Sequence, residues 1–107
     1  MRLSVTGRHL VITDGARRQI GAKLRRLERL LDDSAVSAQC VVWQERQRFV
    51  CDVTVHARGD HRLTGRGRSA RLPPAVTAAI AKVSMQARRV KDRWHTRRRA
   101  ARAGGVA

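Results

Sequence analysis

At 107 residues the chain has the length of one domain, and its 42% hydrophobic content suffices for one core. Twenty-four Lys and Arg against eight Asp and Glu give a formal charge of +16 and a pI of about 12.0, which points to a polyanionic partner, nucleic acid or an anionic membrane. No stretch approaches the ~18 apolar residues of a spanning helix, and the N-terminus lacks an apolar run of signal-peptide length, so a cytoplasmic location is expected.

Residues 1–13 read as a first strand. Leu3 and Val5 alternate with Arg2 and Ser4, β-branched residues return at Val11 to Thr13, and Gly7 marks a bulge or bend. Asp14, or alternatively Thr13, is placed to cap a helix. From there to Leu31, Ala16, Ile20, Leu24, Leu27 and Leu31 recur at helical spacing, with Leu30 at the stripe's edge. Arg18, Arg25 and Arg29 fall on the opposite face, and Lys23 and Arg26 on one flank. Asp32 and Asp33 end the helix, where acids oppose its dipole.

Residues 36–44 form a second strand with Val36, Ala38, Cys40 and Val42 on one face. Residues 49–57 form a third, with Phe49, Cys51, Val53, Val55 and Ala57 facing the core. A tight turn at Glu45–Arg46 would set Cys40 opposite Cys51. Two isolated cysteines make neither a disulfide framework nor a zinc motif, so buried, reduced thiols are expected. After a turn at Gly59–Asp60, residues 61–68 read as a weaker fourth strand, with Arg62, Thr64, Arg66 and Arg68 alternating against Leu63, Gly65 and Gly67.

Pro73–Pro74 opens a second helix. Val76, Ile80, Val83, Ala87, Val90 and Trp94 form its apolar seam. Lys82, Gln86, Arg89 and Arg93 run along one flank, Arg88 and Lys91 along the other. The order β-α-β-β-β-α predicts an α+β fold: a four-stranded, half-buried antiparallel sheet with two helices on one face, the arrangement of a double-stranded RNA-binding domain with an added first strand. Residues 1–96 would be the domain and 97–107 a basic, frayed tail.

Catalytic chemistry finds little support. His9, His56, His61 and His95 sit in no HExxH and have no evident Ser or Cys partner, although His56 and His61 flank a turn and could approach each other. There is no Walker motif, and Gly65–Arg66–Gly67 has too few glycines for a phosphate loop. The reading is a binding protein, not an enzyme, with no metal, cofactor, small-molecule substrate or membrane partner. Lys82, Arg89 and Arg93 form a stripe suited to successive phosphates. Aromatic residues are few: Trp43, Phe49 and Trp94. That favours structured RNA, read by shape and phosphates, over single strands. Trp43 points away from the core and could either stack on a base or cap the open sheet face.

With these elements in place, the chain resembles the ribosome hibernation-promoting factors, also called ribosome-associated inhibitor, S30EA or sigma-54 modulation proteins. Leu3-Ser-Val-Thr-Gly7-Arg-His resembles the family's opening strand. Thr13-Asp14-Gly-Ala16-Arg17, Lys23-Leu24 and Leu27-Glu28 resemble its first helix, and Ala75-Val76, Ile80, Lys82-Val83 and Gln86-Ala-Arg88-Arg89 its second. The resemblance implies binding to small-subunit rRNA of the 16S type in the decoding region, across the mRNA and A- and P-site tRNA channel, on the small subunit and the intact ribosome. It points to Lys23, Arg26, Lys82, Arg88, Arg89 and Lys91. The outer face of the first helix adds Arg25, and the flank of the second adds Arg93. The expected protein is monomeric away from the ribosome and is a short form, without the dimerisation domain of longer members. It departs from the family at the start of the second helix, where Arg71-Leu-Pro73-Pro74-Ala-Val-Thr77 replaces an acidic residue and a Tyr. The competing readings are a general binder of double-stranded or structured RNA and a partner-binding transcription regulator.

Overall fold

A computed structural model describes the backbone of residues 1–106 and the side chains of residues 1–93 other than Asp33. The elements are β1 (Arg2–Gly7), α1 (Asp14–Leu31), a single 3-10 turn (Asp32–Ser34), β2 (Ala35–Glu45), β3 (Arg48–Ala57), β4 (His61–Ser69) and α2 (Leu72–Val106). The strands form one sheet in the order β1-β2-β3-β4, and both helices cover the same face. The α+β expectation therefore holds, with one change: β1 pairs parallel to β2, so the sheet is mixed rather than antiparallel. The cause is topological. α1 intervenes between two neighbouring strands and returns the chain to its starting end, and such a crossover makes the pair parallel.

The first strand is shorter than its sequence pattern suggests. It ends at Gly7, where the chain folds back so closely that a Cβ would strike the Leu10 carbonyl oxygen. The Val11 side chain then points to solvent, 90% exposed, while Ile12 returns to the core. Thr13, not Asp14, caps α1: its Oγ1 accepts from the Ala16 amide at 3.1 Å. Ile20, Leu24, Leu27 and Leu31 are buried, as the helical period requires. Each such burial contributes about 1.5–3 kcal/mol.

Two register details correct the sequence reading of β2 and β3. Glu45 pairs with Arg48, so the turn is Arg46–Gln47, with Arg46 at φ 56°, and Cys40 faces Val53 while Cys51 faces Val42. The shift is an even one, so both cysteines keep the core face. Val36 falls at a register break between Ala35 and Ser37, and the extra residue turns it out of the core to 51% exposure. On β4 and β3, His61 lies opposite Ala57 and His56 opposite Arg62, which puts the two histidines on opposite faces of the sheet.

The core joins Ala38, Cys40, Val42, Cys51, Val53, Val55 and Leu63 of the sheet to the helix stripes. In α2 the buried line is Ala75, Val76, Ala79, Val83, Ala87 and Val90; Ile80 is only half-buried. Ala75 and Ala79 belong to the line because α2 lies directly on Gly65 and Gly67 of β4. Trp94, expected to end the seam, and His95 lie outside the described side chains. So does the tail: α2 continues past residue 96, and the division of domain from tail stays an expectation.

The Cys40 and Cys51 sulfurs approach to 3.3 Å as free, buried thiols. The hydrogen bond that the Cys51 thiol shares with Cys40, reinforced by burial, pushes Cys51 well above its ordinary value, so it stays protonated at neutral pH. The gap far exceeds the ~2.05 Å of a disulfide, and closing it needs movement in a close-packed core. Mass spectrometry of unreduced protein is expected to show the full dithiol mass; a mass lower by two hydrogens would contradict this.

Candidate nucleic-acid interface

The helix layer sorts the basic residues into two groups, because residues three and four apart share a flank. Between α1 and α2 runs a groove of about 400 Å³ with Leu27, Leu30, Ile80 and Ala81 in its walls. Lys23 and Arg26 project into it from α1 and Arg88 from α2. The Lys23 ammonium donates to Thr77 Oγ1 at 2.8 Å, tying the helices together and fixing one charge at the groove. Lys91 continues this flank of α2 and lies 3.9 Å from the Asp32 carboxylate, a loose, exposed pair that offsets part of its charge.

The second group follows the other flank of α2, above β4. The free edge of β4 is covered at Thr64 and Arg66 by side chains of the helix. Gln86 accepts from the Thr64 amide at 3.0 Å and donates to the Thr64 carbonyl at 2.6 Å, and Lys82 Nζ donates to the Arg66 carbonyl at 2.5 Å. Over Thr64 and Arg66 the edge is thus less open to pairing with another strand. Lys82 therefore serves the fold as well as presenting charge. Arg89 and Arg93 are exposed farther along the same flank.

Of the residues singled out by sequence, Lys23, Arg26 and Arg88 thus meet at one groove, with Lys91 beyond them. Lys82, Arg89 and Arg93 make a separate row. Arg25 stands apart: two residues on from Lys23, it lies about 200° around α1 and is exposed.

Sequence reasoning missed a third set. Arg62 and Arg66 of β4 line a cleft of about 550 Å³ together with Lys82 and Arg89. Their alternation with Thr64 was the available signal. Beside them on the sheet face away from the helices, Trp43 is half-buried, with the Arg8 guanidinium 5.5 Å and the Arg66 guanidinium 5.2 Å from its ring centroid. Its Nε1 donates to Glu45 at 2.9 Å. Opposite Trp43, Val50 is fully buried even though it is on the uncovered face. Trp43 is thus part of the covering of that face.

Among the described residues, no three or more His, Cys, Asp or Glu side chains are grouped to hold a metal ion. No described helix is long and apolar enough to cross a membrane.

The family profile described as sigma 54 modulation protein / S30EA ribosomal protein matches residues 3–95. The fold is similar to the crystal structure of the Thermus thermophilus Protein Y N-terminal domain, at TM-score 0.75 and 26% identity, covering 84% of this chain and 99% of that one. It is also similar to a ribosomal subunit interface protein from Coxiella burnetii, at TM-score 0.78 and 19% identity, covering 86% and 99%. No curated protein sequence matches the chain significantly. The match takes in the four strands, α1 and α2 as far as residue 95, and the chain belongs to the sigma 54 modulation protein / S30EA ribosomal protein family.

Proposed function

We propose that this protein is a ribosome hibernation factor. It binds small-subunit rRNA in the decoding region, fills the channel of mRNA and A- and P-site tRNA, and so blocks translation while preserving the ribosome. The observation that carries the reading is the gathering of Lys23, Arg26 and Arg88 around one groove of a chain in a ribosome-associated family. A rigid pair of helices with fixed cations suits a folded RNA, whose phosphates are fixed in turn. Arg26 and Arg88 supply planar donors for two phosphate oxygens each, and Lys23 a point charge. Arg89 and Arg93 extend the contact along α2. No metal or cofactor takes part, and the protein acts as a cytoplasmic monomer until it meets the subunit.

Sedimentation of a cell lysate at modest salt tests this. The protein is expected in the small-subunit and intact-ribosome fractions and not with the isolated large subunit. Recovery only in ribosome-free fractions would overturn the reading.

A further inference from the structure

We propose that the uncovered face of the sheet is a second RNA-backbone-binding surface, joined around the β4 edge to the basic flank of α2. The inference rests on RNA as the partner, but it assigns a surface on the opposite side of the sheet from the helices.

Strand alternation puts Arg62, Arg66 and Arg68 of β4 on this face, and Arg2 and Arg48 of the other strands with them. Arg8 joins them over Trp43. The face carries two carboxylates, and both are engaged: Glu45 accepts from Trp43 Nε1, and Asp52 pairs with Arg66 at 3.2 Å. The positive charge is therefore in large excess, held on a stiff sheet rather than on loops. Thr6, Gln39 and Thr64 add exposed hydroxyl and amide groups, which suit phosphate and ribose oxygens.

Charge decides the class of partner. A protein interface needs an apolar centre, yet here Val50 is fully buried and the Trp43 ring has the Arg8 and Arg66 guanidiniums against it. A polyanion meets the surface without moving either. The cleft at the β4 edge, where Arg62 and Arg66 face the same space as Lys82 and Arg89, makes the two basic surfaces continuous. An RNA strand leaving the helix layer has a charged path onto the sheet.

The test measures binding of the full chain to purified small ribosomal subunits across a salt series. Arg62 and Arg68 are exposed and hold no hydrogen bond or ion pair among the described residues, so the R62A/R68A variant keeps the fold, checked by thermal unfolding. Its slope of log K against log salt is expected to fall by roughly 1.4–1.8, for two contacts of about 0.7–0.9 each. R26A/R88A, on the helix layer, serves as the comparison. An unchanged slope for R62A/R68A beside a reduced one for R26A/R88A would overturn the proposal. Should the unaltered chain not bind the subunits, the hibernation reading fails, and the same variants are compared on a double-stranded RNA, poly(I)·poly(C). A reduced slope there upholds the sheet surface; an unchanged one overturns it. A photo-crosslinking residue at Thr64 separates partners: adducts with RNA support the proposal, and adducts confined to ribosomal proteins overturn it.

Discussion

Gly67→Ala is expected to destabilise the protein by more than about 3 kcal/mol, lowering Tm by on the order of 10–20 °C. The added Cβ would strike the Ala75 carbonyl oxygen and come within 2.7 Å of the Ala79 backbone nitrogen. These atoms belong to the α2 backbone and cannot swing aside as a side-chain tip does. Relief requires α2 to lift from β4, which would open the contacts of Val76 and Val83, both essentially fully buried. Gly21→Ala is the control. Nothing lies within 4 Å of its ideal Cβ, and the position is inside α1. There alanine is expected to add about 0.5–1 kcal/mol by helix propensity alone. Thermal and denaturant unfolding of both variants read the difference. A Gly67→Ala protein that melts with the unaltered one would show that α2 is not seated on β4 as described.

Much of the fold was legible because it follows from periods. The α1 stripe, the alternating core faces of β2 and β3 and most of the α2 seam need only the helical or two-residue repeat. What was not legible depends on contacts across the chain. The β1–β2 pairing direction is fixed by the crossover, not by any residue in β1. Val36 has the hydropathy of a core residue and leaves the core through a bulge with no local signature. Gly65 and Gly67 weakened the reading of β4, yet they allow the closest helix-to-sheet approach, and that approach brings Ala75 and Ala79 into the core. The site shows the same division. Helical spacing put Lys82, Gln86 and Arg89 on one flank, but it could not show that Lys82 and Gln86 bond to the β4 edge at Arg66 and Thr64. Nor could it bring Lys23 and Arg26 of α1 to the same groove as Arg88 of α2, because that depends on how the helices pack. The arginines of the sheet face were visible as an alternation, but their shared position with Trp43 required the strand order.

Removing the groove charges together, in the variant K23A/R26A/R88A, is expected to cost ribosome affinity at least about a thousandfold, since three charged hydrogen bonds lost at about 1.5 kcal/mol or more each exceed ~4 kcal/mol. The slope of log K against log salt should fall by roughly 2.1–2.7 for three phosphate contacts. Translation inhibition in a purified system should fall with it. Stability should change little: Arg26 and Arg88 are exposed, and the Lys23–Thr77 bond is a solvent-accessible one, worth about 1 kcal/mol or less. Lys82 is left in place because its bond to β4 would mix a folding effect into the result. Val83→Ala gives the opposite signature. Val83 is fully buried beneath the same helix, so its truncation should cost about 1–3 kcal/mol of stability and leave the salt slope of the folded protein unchanged. An unaltered slope in the triple variant would instead make the groove a solvated face. The contact would then have to lie on the Arg89–Arg93 row and the β4 edge, where Arg62 and Arg66 stand beside Arg89.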